Sequence, residues 1–150
     1  HRFDLEFLSV LDLFAGIGSI SLELASRGCK DITSLEMNPK HAAFISTTAK
    51  DLGFDHQINL QRGNVFDWLK KSKNHGKSYD IIFADPPFDL PENEYRELIS
   101  LALNQEILKE NGTFILEHQS RFKIEHPLLQ DTRKYGNVSF SFFQFTEKAD

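Results

Sequence analysis

The sequence predicts an α/β fold with a mostly parallel central sheet and helices on both faces. Strand-like apolar runs alternate with amphipathic segments of helical length from end to end, the pattern of parallel strands joined by crossover helices. The chain has 150 residues, and no internal repeat or Pro/Gly-rich linker divides it. We therefore expect a single domain covering residues 1–150.

The elements follow in order along the chain. Apolar, β-branched runs predict seven strands, at Ser9–Phe14, Asp31–Glu36, Gln57–Gln61, Tyr79–Ala84, Gly112–Glu117, Asp131–Tyr135 and Val138–Phe145. Segments of helical length lie between the first five strands, at Ile17–Ser26, Lys40–Leu52, Val65–Lys71 and Glu92–Leu108. Pro39 and Pro91 stand where helices begin well, and Gly28 is a C-cap signal for the first helix.

The last two predicted strands are separated only by Gly136-Asn137. This turn is too short for a crossover helix, so we expect an antiparallel hairpin at the C-terminal end of the sheet. The last strand holds four of the chain's 14 phenylalanines, which we expect to pack in the core: Phe140, Phe142, Phe143 and Phe145.

Composition excludes several classes of protein. With 40% hydrophobic and 26% charged residues the chain resembles soluble globular proteins, and its apolar runs are too short for a membrane span. The net charge of −5 argues against a general nucleic-acid binder. Cys29 is the single cysteine, which excludes a disulfide framework, and the histidines lack metal-ligand spacing. We expect a cytoplasmic monomer with no metal and no membrane association.

A glycine loop joins the first strand to the first helix. It reads Asp12-Leu13-Phe14-Ala15-Gly16-Ile17-Gly18, and glycines there let a ligand approach the backbone while the helix start favours a carboxylate or phosphate. A plain tight turn is the alternative interpretation. Ser21 replaces the third glycine of the dinucleotide fingerprint, so NAD is disfavoured.

Two further strand ends carry polar side chains. Glu36 lies 20 positions after Gly16, where a carboxylate can accept hydrogen bonds from ribose hydroxyls, although a solvated strand-end acid fits too. Asn64, before Val65, can offer a donor and an acceptor to a base edge or can be a helix N-cap. The carboxyl ends of parallel strands meet at one edge of the sheet, where ligands bind in open α/β folds.

Asp85-Pro86-Pro87-Phe88 follows the fourth strand and is the most informative segment. The prolines make it stiff and provide no N–H, so its carbonyl groups point outward. Asp85 and a carbonyl near Pro86 can accept the two hydrogens of an NH₂ group while Phe88 stacks on its ring. Alternatively, the prolines only terminate the strand.

These motifs together resemble one family. Four features of this sequence are similar in order and spacing to those of RsmD-type 16S rRNA guanine-N2 methyltransferases: the glycine loop, Leu35-Glu36-Met37, Asn64 and Asp85-Pro86-Pro87-Phe88. The resemblance extends from about Ser9 to Phe145 and includes Leu116-Glu117. It implies the Rossmann-like fold of class I methyltransferases and methyl transfer from S-adenosyl-L-methionine to the N2 amine of a guanine in 16S rRNA, free or in an assembling small ribosomal subunit.

The resemblance also implies residue roles. Asp85, Pro86, Pro87 and Phe88 would hold the target guanine. The cofactor would contact eight residues, with the loop at its methionine end, Glu36 at its ribose and Met37 and Asn64 at its adenine: Asp12, Phe14, Gly16, Gly18, Glu36, Met37, Asn64 and Val65.

Two departures from the family matter. Members begin with a basic segment that grips RNA and covers the cofactor, and nothing similar precedes His1. We therefore expect residues upstream of His1 to contribute much of the RNA affinity. The Asp-Pro-Pro-aromatic motif also occurs in adenine-N6 and glutamine-N5 methyltransferases, which stay alternatives, as does a catalytically silent RNA-binding module. Arg121, Lys123, Arg133 and Lys134 are the candidates for phosphate contact.

Overall fold

A computed structural model describes residues 4–71 and 76–146. These residues form one seven-stranded sheet, four α-helices and a short 3-10 helix at Leu5–Phe7 that the sequence pattern did not predict. The strands are β1 Ser9–Leu13, β2 Asp31–Glu36, β3 Ile58–Arg62, β4 Tyr79–Ala84, β5 Leu108–Gln119, β6 Leu129–Tyr135 and β7 Val138–Phe143. The helices are α1 Ser19–Ser26, α2 Pro39–Leu52, α3 Val65–Lys70 and α4 Glu92–Ala102. Within the described ranges no helix has both the length and the apolarity to cross a bilayer.

The strand order is β3-β2-β1-β4-β5-β7-β6. The first five strands run parallel, while β7 lies antiparallel between β5 and β6, so the predicted C-terminal hairpin is confirmed. The chain reverses its direction of travel across the sheet between β3 and β4. In a doubly wound sheet this reversal opens a crevice at the carboxyl ends of the two central strands, here β1 and β4.

Alternating side chains divide the core into two layers. Leu11 and Leu13 of β1 face one side, where they pack with residues of α3 and α4 such as Leu69 and Leu98. Val10 faces the other side, among buried residues of α1 and α2. Period-two alternation in a central strand thus supplies both faces with apolar side chains, as a sheet covered on both sides requires.

Several predicted boundaries differ from the observed ones by one or two residues, and two differ by more, at the end of α4 and the start of β5. The helix ends at Ala102, not at Leu108, and the strand begins at Leu108, not at Gly112. Ile107 and Leu108 continue the helical spacing of apolar residues, but both are fully buried after a turn in which the Asn104 side chain accepts the Glu106 N–H. These two residues are buried by contacts with the rest of the core and not as part of a helix face, so their spacing wrongly indicated a longer helix.

The phenylalanines of the last strand do not share one environment. Phe143 is fully buried and stacks on Phe114 with ring centroids 5.5 Å apart. Phe140, Phe142 and Phe145 are only half-buried, and the Arg133 guanidinium lies over the Phe142 ring. The prediction that all four belong to the core therefore holds in full for Phe143 alone.

Gly18 joins α1 closely to α2. It is the N-cap of α1 with a left-handed φ of +85°, and a Cβ built there would lie 2.9 Å from Ile45 Cγ1. Gly53, the C-cap of α2, has a similar φ of +78° but has no atom within 4 Å of its Cβ position. The two glycines therefore share one backbone requirement and differ in packing.

We expect Gly18→Ala to destabilise the protein more than Gly53→Ala. Both variants place a side chain in left-handed backbone, which costs about 1 kcal/mol. Only Gly18→Ala also overlaps a buried isoleucine, which adds about 1–3 kcal/mol. Urea unfolding of both variants measures the difference, and equal losses would contradict the role assigned to Ile45.

Candidate functional site

The carboxyl ends of the central strands are aligned. In the register of the sheet, Leu13 of β1 is opposite Ala84 of β4, and Ala84 is opposite Leu116 of β5. The residues that follow these three positions therefore emerge side by side, because neighbouring strands lie about 4.8 Å apart. Asp85 and Glu117 are two of these residues.

Glu36 fixes the glycine loop at the end of β2. Its Oε1 accepts the Gly16 N–H at 2.6 Å, and its Oε2 accepts the Asn38 N–H at 2.9 Å. The Ala15 N–H donates to the Leu35 carbonyl at 3.0 Å. The loop N–H groups of Ala15 and Gly16 are thus engaged within the protein, while the carboxylate of Glu36 keeps lone pairs for a further donor.

Asp12 lies beneath the loop. Its side chain is 1% exposed, and its Oδ2 accepts the Ser21 hydroxyl at 2.6 Å. The Ser21 hydroxyl also contacts the Ser34 hydroxyl of β2 at 2.5 Å. Burial raises the pKa of Asp12 to about 7, against the opposing effect of hydrogen bonds from the Ser21 side chain and backbone N–H. Since Ser21 is in the first turn of α1, its hydroxyl bond to Asp12 ties the start of this helix to β1.

A cleft of about 400 Å³ opens above the loop. Gly16 borders it, and nothing lies within 4 Å of the Cβ position of that glycine, so a ligand can approach the backbone closely. Three carboxyl groups line the cleft, those of Glu36, Asp85 and Glu94, and none of the described lining residues is Lys or Arg. This lining favours a ligand with positive charge over a pyrophosphate.

Six of the eight predicted cofactor residues line this cleft: Phe14, Gly16, Glu36, Met37, Asn64 and Val65. Asp12 and Gly18 are not among its lining residues, and their contacts described above are with Ser21 and Ile45. Asn64 is the N-cap of α3, where its Oδ1 accepts the Asp67 N–H at 3.1 Å. The NH₂ group of Asn64 is not used in this cap and can contact a ligand. Asn64 can therefore be both a helix N-cap and a residue that binds a base edge.

The predicted tetrapeptide borders a second cavity of about 210 Å³. Asp85, Pro86 and Phe88 line it together with Glu117, and the Phe88 ring is 75% exposed. Pro87 lies on the other side, toward the cleft. The Gln119 side chain donates to the Phe88 carbonyl, which ties the tetrapeptide to the end of β5.

Asp85 lines both cavities, so it stands where they meet. Glu117, which follows the strand position opposite Ala84, lines the second cavity beside it. Partial exclusion of water raises the pKa of Asp85, although hydrogen bonding with Glu117 acts in the opposite direction. The pKa of Glu117 is raised by the same desolvation, by the Asp85 charge and by the shared hydrogen bond. Two neighbouring carboxyl groups that are partly shielded from water each ionise less readily than free ones.

Sequence reasoning missed several residues of the site. Phe66, Leu90 and Glu94 line the cleft, and Ser21, considered only as a departure from a fingerprint, is the partner of Asp12. Glu117 was noted only as a strand end, because its proximity to Asp85 depends on the strand order. Within residues 4–71 and 76–146 no group of three or more His, Cys, Asp or Glu side chains is arranged to hold a metal ion.

The basic residues considered for phosphate contact either follow β5 or lie in β6 of the C-terminal hairpin. Arg121 borders a neighbouring cavity with Tyr95 and Phe122, and its Nε donates to Gln119 Oε1 at 2.6 Å. Arg133 Nε lies 3.3 Å from Asp131 Oδ2. Through Gln119, Arg121 is thus linked to the carbonyl of Phe88, while Arg133 is paired on the hairpin.

The chain is similar to known methyltransferases. A profile of the family described as conserved hypothetical protein 95 matches residues 2–144. The ribosomal RNA small subunit methyltransferase D of Buchnera aphidicola is 33% identical over 117 residues, 78% of this chain, and the chain spans 59% of that protein's length.

Solved structures share the fold. A candidate methylase from Haemophilus influenzae superposes with a TM-score of 0.83 at 28% identity, over 96% of this chain and 90% of that one. A candidate methyltransferase in complex with S-adenosylhomocysteine gives a TM-score of 0.75 at 22% identity, over 93% of this chain and 46% of that one. The predicted Rossmann-like fold of class I methyltransferases is confirmed.

The raised pKa of Asp12 predicts a pH dependence of stability. Because the folded state favours the protonated carboxyl, the contribution of Asp12 to stability is full below about pH 4 and is lost as pH rises through about 7. The asparagine of the Asp12→Asn variant carries no charge at any of these pH values. The Tm of this variant minus the Tm of the unsubstituted protein should therefore increase by at least about 3 °C between pH 4 and pH 8.

Thermal unfolding at four pH values measures this difference, with Asp55→Asn as the control for an exposed aspartate. A Tm difference between the Asp12→Asn and unsubstituted proteins that stays constant with pH would contradict a buried, proton-retaining Asp12.

Proposed function

The chain belongs to the RsmD family, described as conserved hypothetical protein 95. From this membership and from the position of Asp85 where two cavities meet, we propose that the protein methylates the N2 amine of a guanine in 16S rRNA with S-adenosyl-L-methionine. The position of Asp85 carries the proposal. One cavity there has the features of a cofactor cleft, and the other has an exposed aromatic ring beside carboxyl groups.

The residues of the cleft fit S-adenosylmethionine. Glu36 has lone pairs free for ribose hydroxyls, and the amide of Asn64 and the exposed side chain of Met37 can contact an adenine ring. The carboxyl groups of Asp85 and Glu94 favour a cationic sulfonium. When bound, this cofactor would supply an electrophilic methyl group and leave as S-adenosylhomocysteine, whose sulfur would keep the electron pair of the broken S–CH₃ bond. The structurally similar protein with bound S-adenosylhomocysteine supports the assignment.

The second cavity fits the acceptor base. Phe88 offers an exposed ring for stacking, and Asp85 and the carbonyl of Pro86 can accept the two hydrogens of an exocyclic amine. The nitrogen of such an amine is a poor nucleophile because its lone pair is delocalised into the ring. Hydrogen bonds that hold both N–H groups turn the lone pair toward the cleft, and the fixed orientation supplies much of the rate acceleration.

Charge around Asp85 favours the transfer. As the new N–C bond forms, positive charge develops on the acceptor nitrogen, and the carboxyl groups of Asp85 and Glu117 stabilise it across a short distance. The nitrogen then loses one proton, for which Asp85 is the nearest acceptor. A base within a duplex has to leave the stack to reach this cavity.

Cofactor identity is tested by calorimetry. We expect S-adenosylhomocysteine to bind in the cleft and NAD not to bind, because the cleft presents carboxyl groups to a pyrophosphate. Glu36→Gln should weaken S-adenosylhomocysteine binding about tenfold, which corresponds to one hydrogen bond to a charged group. Binding of NAD without binding of S-adenosylhomocysteine would refute the assignment.

Acceptor chemistry is tested with Asp85→Ala. We expect methyl transfer to small-subunit rRNA to fall about 10²-fold or more. Affinity for S-adenosylhomocysteine should stay within a few-fold, because the partner of Asp85 is the acceptor amine. Labelled cofactor and mapping of the product base measure both the rate and the site of methylation.

Asp55→Ala, a change at an exposed aspartate remote from both cavities, is the control and should keep the normal rate. A normal rate for Asp85→Ala would show that the tetrapeptide does not hold the acceptor. A product methylated at adenine N6 would replace guanine by adenine in the proposal while leaving the role of Asp85 intact.

A further inference from the structure

Glu117 is an acidic residue of the second cavity that lies outside the tetrapeptide. It is the residue after Leu116, which is opposite Ala84 in the parallel pairing of β4 and β5, so Glu117 emerges beside Asp85. Both side chains line the cavity of about 210 Å³. Glu117 is therefore placed to touch whatever Asp85 touches.

Neighbouring polar side chains are less available. The Gln119 amide donates to the Phe88 carbonyl and its Oε1 accepts from Arg121. The ring nitrogens of His118 lie 2.8 Å from the Gln119 carbonyl and 2.8 Å from the Ser141 hydroxyl. Asp85 and Glu117, in contrast, line the cavity side by side, and a ligand with two adjacent donors can reach both carboxyl groups.

Guanine has such a pair of donors. Its Watson–Crick edge carries the N1–H next to the N2 amine, whereas adenine carries an acceptor nitrogen, N1, next to the N6 amine. Two adjacent carboxylates complement the guanine edge, since each accepts one N–H. Toward adenine, one of the two carboxylates would oppose the N1 lone pair.

We propose that Glu117 selects guanine by accepting the N1–H while Asp85 holds the N2 amine that receives the methyl group. The proposal rests on the proposed function and adds a second residue that reads the base. As the base enters, each of the two carboxylates accepts one N–H of its Watson–Crick edge. Glu117 is then a specificity-determining residue, and Asp85 is the residue at the reacting nitrogen.

The test uses rRNA in which the mapped target guanine is replaced by 2-aminopurine, introduced by ligation of a synthetic oligonucleotide. This base keeps the 2-amino group but has an acceptor at N1. We expect the unsubstituted protein to prefer guanine by about 10²-fold or more in kcat/KM, because two acceptors that face each other both lack a donor. Glu117→Gln presents an amide that can donate to N1 of 2-aminopurine, so it should reduce the preference at least tenfold.

The comparison separates recognition from structure. The difference in intrinsic reactivity of the two amines is the same for each protein, so it cancels when the preferences of two proteins are compared. A merely structural loss in Glu117→Gln would lower kcat/KM for both RNAs by the same factor. Glu110→Gln, a change at an exposed position in the same strand, is the matched control and should retain the full preference.

The possible results have different meanings. Reduced preference in Glu117→Gln with an unchanged preference in Glu110→Gln supports the inference. An unchanged preference in Glu117→Gln overturns it, although guanine methylation by the unsubstituted protein would then still support the proposed function. Absence of any methylation of guanine by the unsubstituted protein would overturn the proposed function and this inference with it.

Discussion

The buried carboxyl group of Asp12 connects the centre of the sheet to the loop that borders the cleft. It accepts the hydroxyl of Ser21, and Ser21 in turn contacts Ser34 on the neighbouring strand. α1 begins at a glycine that has no side chain for capping, and the bond between Ser21 and Asp12 ties its first turn to the strand. The loop between Asp12 and Ser21 is thereby held at both ends, and Glu36 can bond to Gly16 at a defined position.

The register of the parallel strands brings the two halves of the site together. The ends of β1 and β2 border the cleft, while the ends of β4 and β5 carry the tetrapeptide and Glu117. Because β1 pairs with β4, the last residues of these two halves are neighbours, and Asp85 lies at the boundary. The acidic lining that results suits chemistry in which both the donor group and the product nitrogen carry positive charge.

Local signals were sufficient for most of the fold and for part of the site. Alternating hydrophobicity, Pro39 at a helix start and the two-residue Gly136-Asn137 turn act over short distances, and the sequence displays them directly. The end of α4 could not be predicted because Ile107 is buried by tertiary contacts after the helix has stopped. The Asp85–Glu117 pair depends on which strands are neighbours, and strand order is not a local property of the sequence.

Cys29 gives the protein a chemical reporter of its own local opening. It is the single cysteine of the sequence and is fully buried between α1 and the sheet, among Val10, Ala25 and Ile32. Burial raises the pKa of its thiol, so an alkylating reagent reacts only after this layer has separated. Since α1 starts at the loop beside the cleft, a molecule bound in the cleft should slow the labelling of a thiol at the opposite end of the helix.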